Sequence, residues 1–442
     1  MKPILITAIL IITTLLSPTA RRVSQPVLGQ SQLAVRATIT PSPYLFVWTA
    51  DDDEKDSDFI AVIDAQPSSP TYGEVITTLP VGVRATSPHH TEYEFPVGGT
   101  LFANGWGAGR TFIIDLKNPR KPRLVGQFAQ TPDYGFPHSF VRLPNGNVLA
   151  TFQVKSKGYE PPGGLVELNA LGRVVRATSA DVPGFEKKLL WPYSLTVLPQ
   201  IDRVVTTSTE MGLPSWTSPG AHGSSKHQHT LTDTNHIQIW SLKDLRLLAT
   251  IPLPPSPNGK AQLNPAEPRL LPDGTVYVNT FNCGLYRVLG LERSDPKAEF
   301  VYSFPGADKT GFECGVPVVL EKFWVQTDPS LPGLIALDVS NPAEPVEVSR
   351  LVFDKRFENS HWVAADRSAS RVVVTGNHRS WVLIVNVDSE TGKLTMDETF
   401  KVKGADYPGL DFDRPRWPHG PTGKGVVHGA LFGPSLNGKE GK

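Results

Sequence analysis

Cysteine is nearly absent from this chain: 442 residues carry only Cys283 and Cys314, beside three methionines. Two cysteines exclude a thiolate metal cluster; they permit one disulfide in an oxidising compartment, or two buried thiols. Net charge is absent too, because Lys plus Arg and Asp plus Glu both total 43. No global field draws the chain to nucleic acid, and the basic stretch from Lys117 to Arg123 is broken by prolines, as a solvated loop would be. No G-x-G-x-x-G follows a strand-like run, and no Walker loop or G-x-S-x-G elbow occurs, so nucleotide-fuelled and serine-hydrolase chemistry find no support. Long apolar runs and long helical periods are missing as well.

The one sustained apolar stretch is at the start, "MKPILITAILIITTLLSPTA". It falls short of the ~20 apolar residues needed to span a bilayer. A lysine, an apolar core and a small-residue end at Thr19-Ala20 fit a secretory signal over residues 1–20. A polar leader over 21–42 would follow. The expected protein is exported, periplasmic or secreted, with no integral membrane segment in its mature form.

Proline and glycine are abundant, at 41 and 38, and they punctuate short β-branched and aromatic runs. "TLFANGW", "RTFIIDL" and "RLVGQF" form a set of three runs that returns as "NVLATFQ", "GLVELN" and "VVRATSA". The order recurs to the C-terminal region, and a short run precedes each set: "HHTEYEF", "HSFVRL", "YSLTVL", "EPRLL", "CGVPVVL" and "HWVAAD". Near the N-terminus "YLFVWTA", "FIAVIDA" and "EVITTLP" lack a preceding run, whereas "VHGALF" (427–432) lacks followers. Pairing those ends completes a seventh four-strand unit. The expected fold is therefore all-β, a seven-bladed propeller over 43–435 closed by the N-terminal strands on the C-terminal strand, with a flexible tail over 436–442.

First strands of propeller blades line the central channel. Aligned by their starts, they present His90, His138, Tyr193, Ala266 or Glu267, Cys314, His361 and His428. Four of the 11 histidines thus share one expected position on contiguous blades, where neutral imidazoles can hold copper, iron, zinc or nickel. The bland alternative is a set of hydrogen-bonded histidines in a wet channel. His89 stays open at this point, between the opposite strand face and a ligand role through a bulge. Glu92 shares strand parity with His90 and is a candidate to orient it or to handle a proton; Glu267 and Tyr193 are candidates for substrate binding or proton transfer, with simple channel filling as the bland alternative. The long rim loop between Glu210 and Asn235 holds His222, His227 and His229, a weaker second metal constellation. Cys283 and Cys314 fall near one another at the channel mouth, which suits a disulfide between adjacent blades.

"DFIAVIDAQPSSPTYGEVITTLPV", the His89-His90 pair, "GRTFIIDLKNPRKPRLV" and "PHSFVRLPNGNVLATF" resemble the selenium-binding protein family, which includes methanethiol oxidase. The resemblance implies a seven-bladed propeller and, for the bacterial oxidases, a periplasmic copper enzyme. That enzyme converts methanethiol, oxygen and water to formaldehyde, hydrogen sulfide and hydrogen peroxide. The resemblance carries His89, His90 and His138 over as ligands, and His428, with His419 in "RWPHG" as a competitor. His361 departs from the family pattern, as does the lack of an early propeller cysteine, which puts selenium binding in doubt. The expected function is copper-dependent oxidation of a small thiol. The alternatives are a four-histidine iron oxygenase acting on an unsaturated substrate and a non-catalytic selenium- or metal-binding propeller.

Overall fold

The computed structural model describes residues 40–217, 232–305, 314–328 and 330–434. The expected signal segment, most of the leader, the tail, and His222, His227 and His229 lie outside these residues. Seven antiparallel sheets form the blades. Blade 1 runs Pro88–Thr91, Thr100–Gly105, Arg110–Asp115 and Arg123–Phe128, innermost strand first. The innermost strands of blades 2 to 6 are Tyr134–Arg142, Pro192–Leu198, Pro265–Leu270, Val318–Leu320 and Ser360–Asp366. A closing blade joins Gly425–Phe432 as innermost strand to Tyr44–Asp51, Phe59–Asp64 and Val75–Pro80. The seven-bladed propeller and its closure by the chain's two ends agree with the sequence reading.

Burial follows from the stacking of sheet on sheet. Middle strands such as Phe59–Asp64 are buried along their whole length, because neighbouring blades cover both faces. Outermost strands such as Arg123–Phe128 and Val346–Val352 alternate half-buried with exposed residues, because only one face meets a neighbour. Between the closing blade and blade 1, for example, Phe46, Trp48, Ile60 and Val62 pack on Leu101, Ala103, Phe112 and Ile114. A polar latch secures the closure. The Arg371 guanidinium, buried in blade 6, pairs with Asp366 at 2.9 Å and donates to the carbonyls of Ser42 and Ala65. Asp366 in turn accepts from the Ser42 amide at 2.9 Å, and the Ser42 hydroxyl donates to the Gly433 carbonyl at 2.6 Å. Cys283 and Cys314 form a disulfide, which leaves no free thiol in the chain.

Candidate metal centre

The innermost strands carry one repeated irregularity. In blade 1 the pairing jumps from Pro88↔Gly105 to Thr91↔Ala103, so His89 and His90 together stand opposite the single residue Asn104. The same step sets His138-Ser139 opposite Thr151, Tyr193-Ser194 opposite Thr207, and Ala266-Glu267 opposite Asn279. It recurs in the closing blade around His428-Gly429, and a register shift marks blade 6 at His361. An extra residue of this kind leaves backbone groups unpaired. Here the opposing side chain satisfies them. The Asn104 amide oxygen accepts from the His90 amide at 2.7 Å while its nitrogen donates to the His138 carbonyl at 3.1 Å. Thr151 bridges Ser139 to the Tyr193 carbonyl, Thr207 bridges Ser194 to the Ala266 carbonyl, and Asn279 bridges Glu267 to the Gly315 carbonyl. Thr327 and Thr375 reach the carbonyls of His361 and His428.

This ladder fixes the equivalences around the channel. One tier holds His89, His138, Tyr193, Ala266, Gly315, His361 and His428; a second holds His90, Ser139, Ser194 and Glu267. Two expectations are thereby corrected. His89, not His90, is the counterpart of His138, because the bulge adds a residue that counting from the following turn does not reveal. In blade 5 the counterpart is Gly315 rather than Cys314, and a Cβ there would run into the His361 carbonyl oxygen. The bulge also turns both rings of the pair toward the axis instead of to opposite faces.

Five imidazoles converge as a result. Ring centroids lie 4.3 Å apart for His89 and His428, 4.2 Å for His90 and His138, 4.9 Å for His89 and His138, and 4.7 Å for His361 and His428. His89, His90 and His428 each offer a ring nitrogen within 4.8 Å of the others. Nε2 of His90 and both ring nitrogens of His428 are buried without a hydrogen-bond partner. Leaving such atoms unpaired costs roughly 1–3 kcal/mol each, which a coordinated cation would offset. His138 is held differently: its Nδ1 meets the Tyr193 carbonyl at 2.9 Å. A carbonyl only accepts, so Nδ1 carries the proton and the lone pair sits on Nε2, 2.9 Å from Nε2 of His89.

Burial lowers every one of these imidazole pKa values. It brings His138 to about 3 and His361 to about 4, and it drives His89, His90 and His428 well below the ordinary value, with neighbouring imidazoles adding to the effect. Neutral rings present lone pairs, and that is the state a transition metal requires. The donor set therefore fits a nitrogen-ligated metal.

A sixth imidazole escaped the sequence reading. His378 follows the second strand of blade 6, Arg371–Gly376, and its ring lies 5.9 Å from that of His428. Its position in "GNHRSW", a rim loop on the same side as His361, was the available signal. His419 stays apart: Nδ1 bonds Thr78 at 2.7 Å, Nε2 bonds Thr422 at 2.8 Å, and the ring packs on Phe59.

The other candidates separate. Glu92 makes a two-pronged ion pair with Arg142 at 2.7 and 2.9 Å and accepts from the Phe102 amide at 3.0 Å. Its carboxylate is thus committed to the joint between blades 1 and 2 instead of to a histidine. Tyr193 stacks its ring 3.8 Å from His138, while its backbone carbonyl orients that imidazole. Glu267 accepts from Tyr93 at 2.7 Å, Ser194 at 2.6 Å and Arg269 at 2.9 Å. Tyr93, also unanticipated, reaches Nδ1 of His90 at 3.4 Å and stacks on Trp362 with centroids 5.3 Å apart. Beside the imidazoles, Trp106 lies 5.8 Å from His138 and packs with Phe136, Trp191 and Met211 as an apolar wall. At the other end of the channel a cavity of about 670 Å³ is bordered by Tyr93, Arg142, Leu195, Arg269 and Ala364.

Comparison with known proteins shows the family of the chain. A family model described as 56 kDa selenium-binding protein matches residues 24–285, more than half of the chain. Methanethiol oxidase of Hyphomicrobium sp is 27% identical over 363 residues, which cover 78% of this chain and 77% of that protein. Selenium-binding protein 2 of Arabidopsis thaliana is 25% identical over 234 residues, 49% of this chain and 45% of the plant protein. Among solved structures, a hypothetical selenium-binding protein from Sulfolobus tokodaii superposes with a TM-score of 0.65 at 17% identity, covering 90% of this chain and 95% of its own. The periplasmic gluconolactonase of Pseudomonas aeruginosa gives 0.57 at 12% identity over 79% and 93% of the two chains. The structural likenesses establish the propeller fold, and the sequence match goes further: this chain belongs to the 56 kDa selenium-binding protein family.

Proposed function

We propose that the chain is a metal-dependent oxidase of a small thiol, with copper held by His89, His90, His138 and His428 and with His361 at the flank. The observation that carries this reading is the convergence of buried, neutral imidazoles with unpartnered nitrogens on the channel axis. The similarity to a methanethiol oxidase supports a small thiol as the substrate class, and molecular oxygen is the oxidant proposed with it. Bound copper would supply one-electron redox chemistry and an affinity for soft sulfur ligands.

The protein's own part is positional. Backbone bulges aim the rings inward, and the Tyr193 carbonyl holds His138 with its Nε2 lone pair toward the centre. Trp106, Phe136, Trp191 and Met211 give a small apolar thiol a dry flank, which suits a methyl group better than a charged substrate. Both cysteines are consumed in the disulfide, so selenium capture by a free thiol has no residue to use. That disulfide also supports export to an oxidising compartment, in line with a signal over residues 1–20.

Oxygen uptake on addition of methanethiol, with formaldehyde and hydrogen sulfide as products, tests the proposal. Iron in place of copper, with turnover of an unsaturated substrate, would favour the alternative oxygenase. Bound metal with no thiol-dependent oxygen uptake would leave a binding protein only.

A further inference from the structure

The second tier of the channel is polar in an orderly way. His90, Ser139, Ser194 and Glu267 occupy equivalent bulge positions on blades 1 to 4, and the Tyr93 hydroxyl stands among all four. It lies 3.2 Å from Ser139, 3.2 Å from Ser194, 2.7 Å from Glu267 and 3.4 Å from Nδ1 of His90. Its ring is held by Trp362, stacked with centroids 5.3 Å apart, and by the Arg269 guanidinium, 4.0 Å from the ring centroid. The hydroxyl therefore has little freedom of place.

Its single proton has little freedom either. Glu267 is ion-paired with Arg269 at 2.9 Å, and a carboxylate only accepts, so Tyr93 and Ser194 both donate to it. With its proton committed, the Tyr93 oxygen can only accept from His90. Only the Nδ1–H form of His90 bonds to that oxygen, and in that form Ser139 offers a further acceptor at 3.2 Å while its own hydroxyl turns to Tyr93. The lone pair falls on Nε2, the atom that is buried and unpartnered beside His89 and His428.

We propose that Tyr93, turned by Glu267, is a positioning residue that fixes the tautomer of His90 so that Nε2 faces the metal. The carboxylate acts at one remove, through a phenol, where histidine ligands more commonly meet a carboxylate directly. The proposal rests on the reading of His90 as a ligand. It assigns Glu267 an orienting role in place of the expected substrate binding or proton transfer.

Ring-nitrogen NMR of the metal-free protein, with the His90 signal identified by its loss in His90→Asn, tests the arrangement without any turnover. The wild type should show His90 as a single Nδ1–H form. Tyr93→Phe and Glu267→Met should give a mixture of tautomers, and Tyr93→Phe should retain copper ~10-fold less tightly against a chelator. Glu267→Gln keeps an acceptor oxygen and should restore the wild-type pattern, which a merely structural effect would not do. If Glu267→Met does not fold, Tyr93→Phe decides alone. An unchanged His90 tautomer in Tyr93→Phe overturns the inference even where copper binds. Failure of the wild type to bind any transition metal overturns the metal centre instead, whatever the tautomer.

Discussion

Nε2 of His89 and Nε2 of His138 stand 2.9 Å apart, on different blades and 49 residues apart in sequence. Two ring nitrogens at that separation share either a proton or a cation. The His138 proton is committed to the Tyr193 carbonyl, so only His89 can supply one between them. Replacing Tyr193 by Phe would preserve that carbonyl and the ring contact. Tyr193→Phe should therefore keep the metal as tightly as the wild type, read by chelator competition, whereas His138→Ala should lose most of it.

The imidazole cluster sets the acid limit of the metal-free protein. Unfolded histidines take up protons below about pH 6.5. Folded His138 and His361 do so only near 3 and 4. Between those limits the unfolded state binds more protons, so stability falls as pH falls, by about 1.4 kcal/mol per pH unit for each such histidine. Denaturant unfolding across pH 4 to 7 should show this slope, and His361→Asn should make it shallower. An equal slope in that variant would contradict the assignment.

Glu92 and Arg142 form a buried pair, with side chains 3% and 15% exposed. Glu92→Gln leaves the guanidinium without its counter-charge, at a cost of about 3–5 kcal/mol. The melting temperature should drop while metal content per folded chain stays unchanged. Metal loss without destabilisation would instead restore the ligand-orienting role expected from the sequence.

The Cys283–Cys314 disulfide closes a loop with a sequence separation of 31. Changing both cysteines to serine should lower stability by about 3–4 kcal/mol in the chain-entropy account. Chemical denaturation of the two proteins under non-reducing conditions measures the difference.

The sequence showed the blades clearly, because strand runs separated by Gly and Pro leave a repeating record even where individual strands are short. The closure was legible for the same reason: "VHGALF" lacked followers and "YLFVWTA" lacked a predecessor. Local register was not. A bulge adds one residue without changing composition, so His89 and His90 could not be told apart, and Cys314 stood in for Gly315. Glu92 and Tyr93 are adjacent in sequence, yet Glu92 bonds Arg142 between blades and Tyr93 enters the channel. The partners that separate their roles, Arg142 and Glu267, come from other blades, and strand parity holds no record of them.

The central claim is that these imidazoles hold a redox metal. Elemental analysis of protein matured in an oxidising compartment, compared with His90→Ala and His428→Ala made in the same way, tests it most directly. The account predicts about one copper ion per wild-type chain and severe loss in both folded variants. Wild-type protein free of transition metal, or variants that keep the full complement, would contradict it.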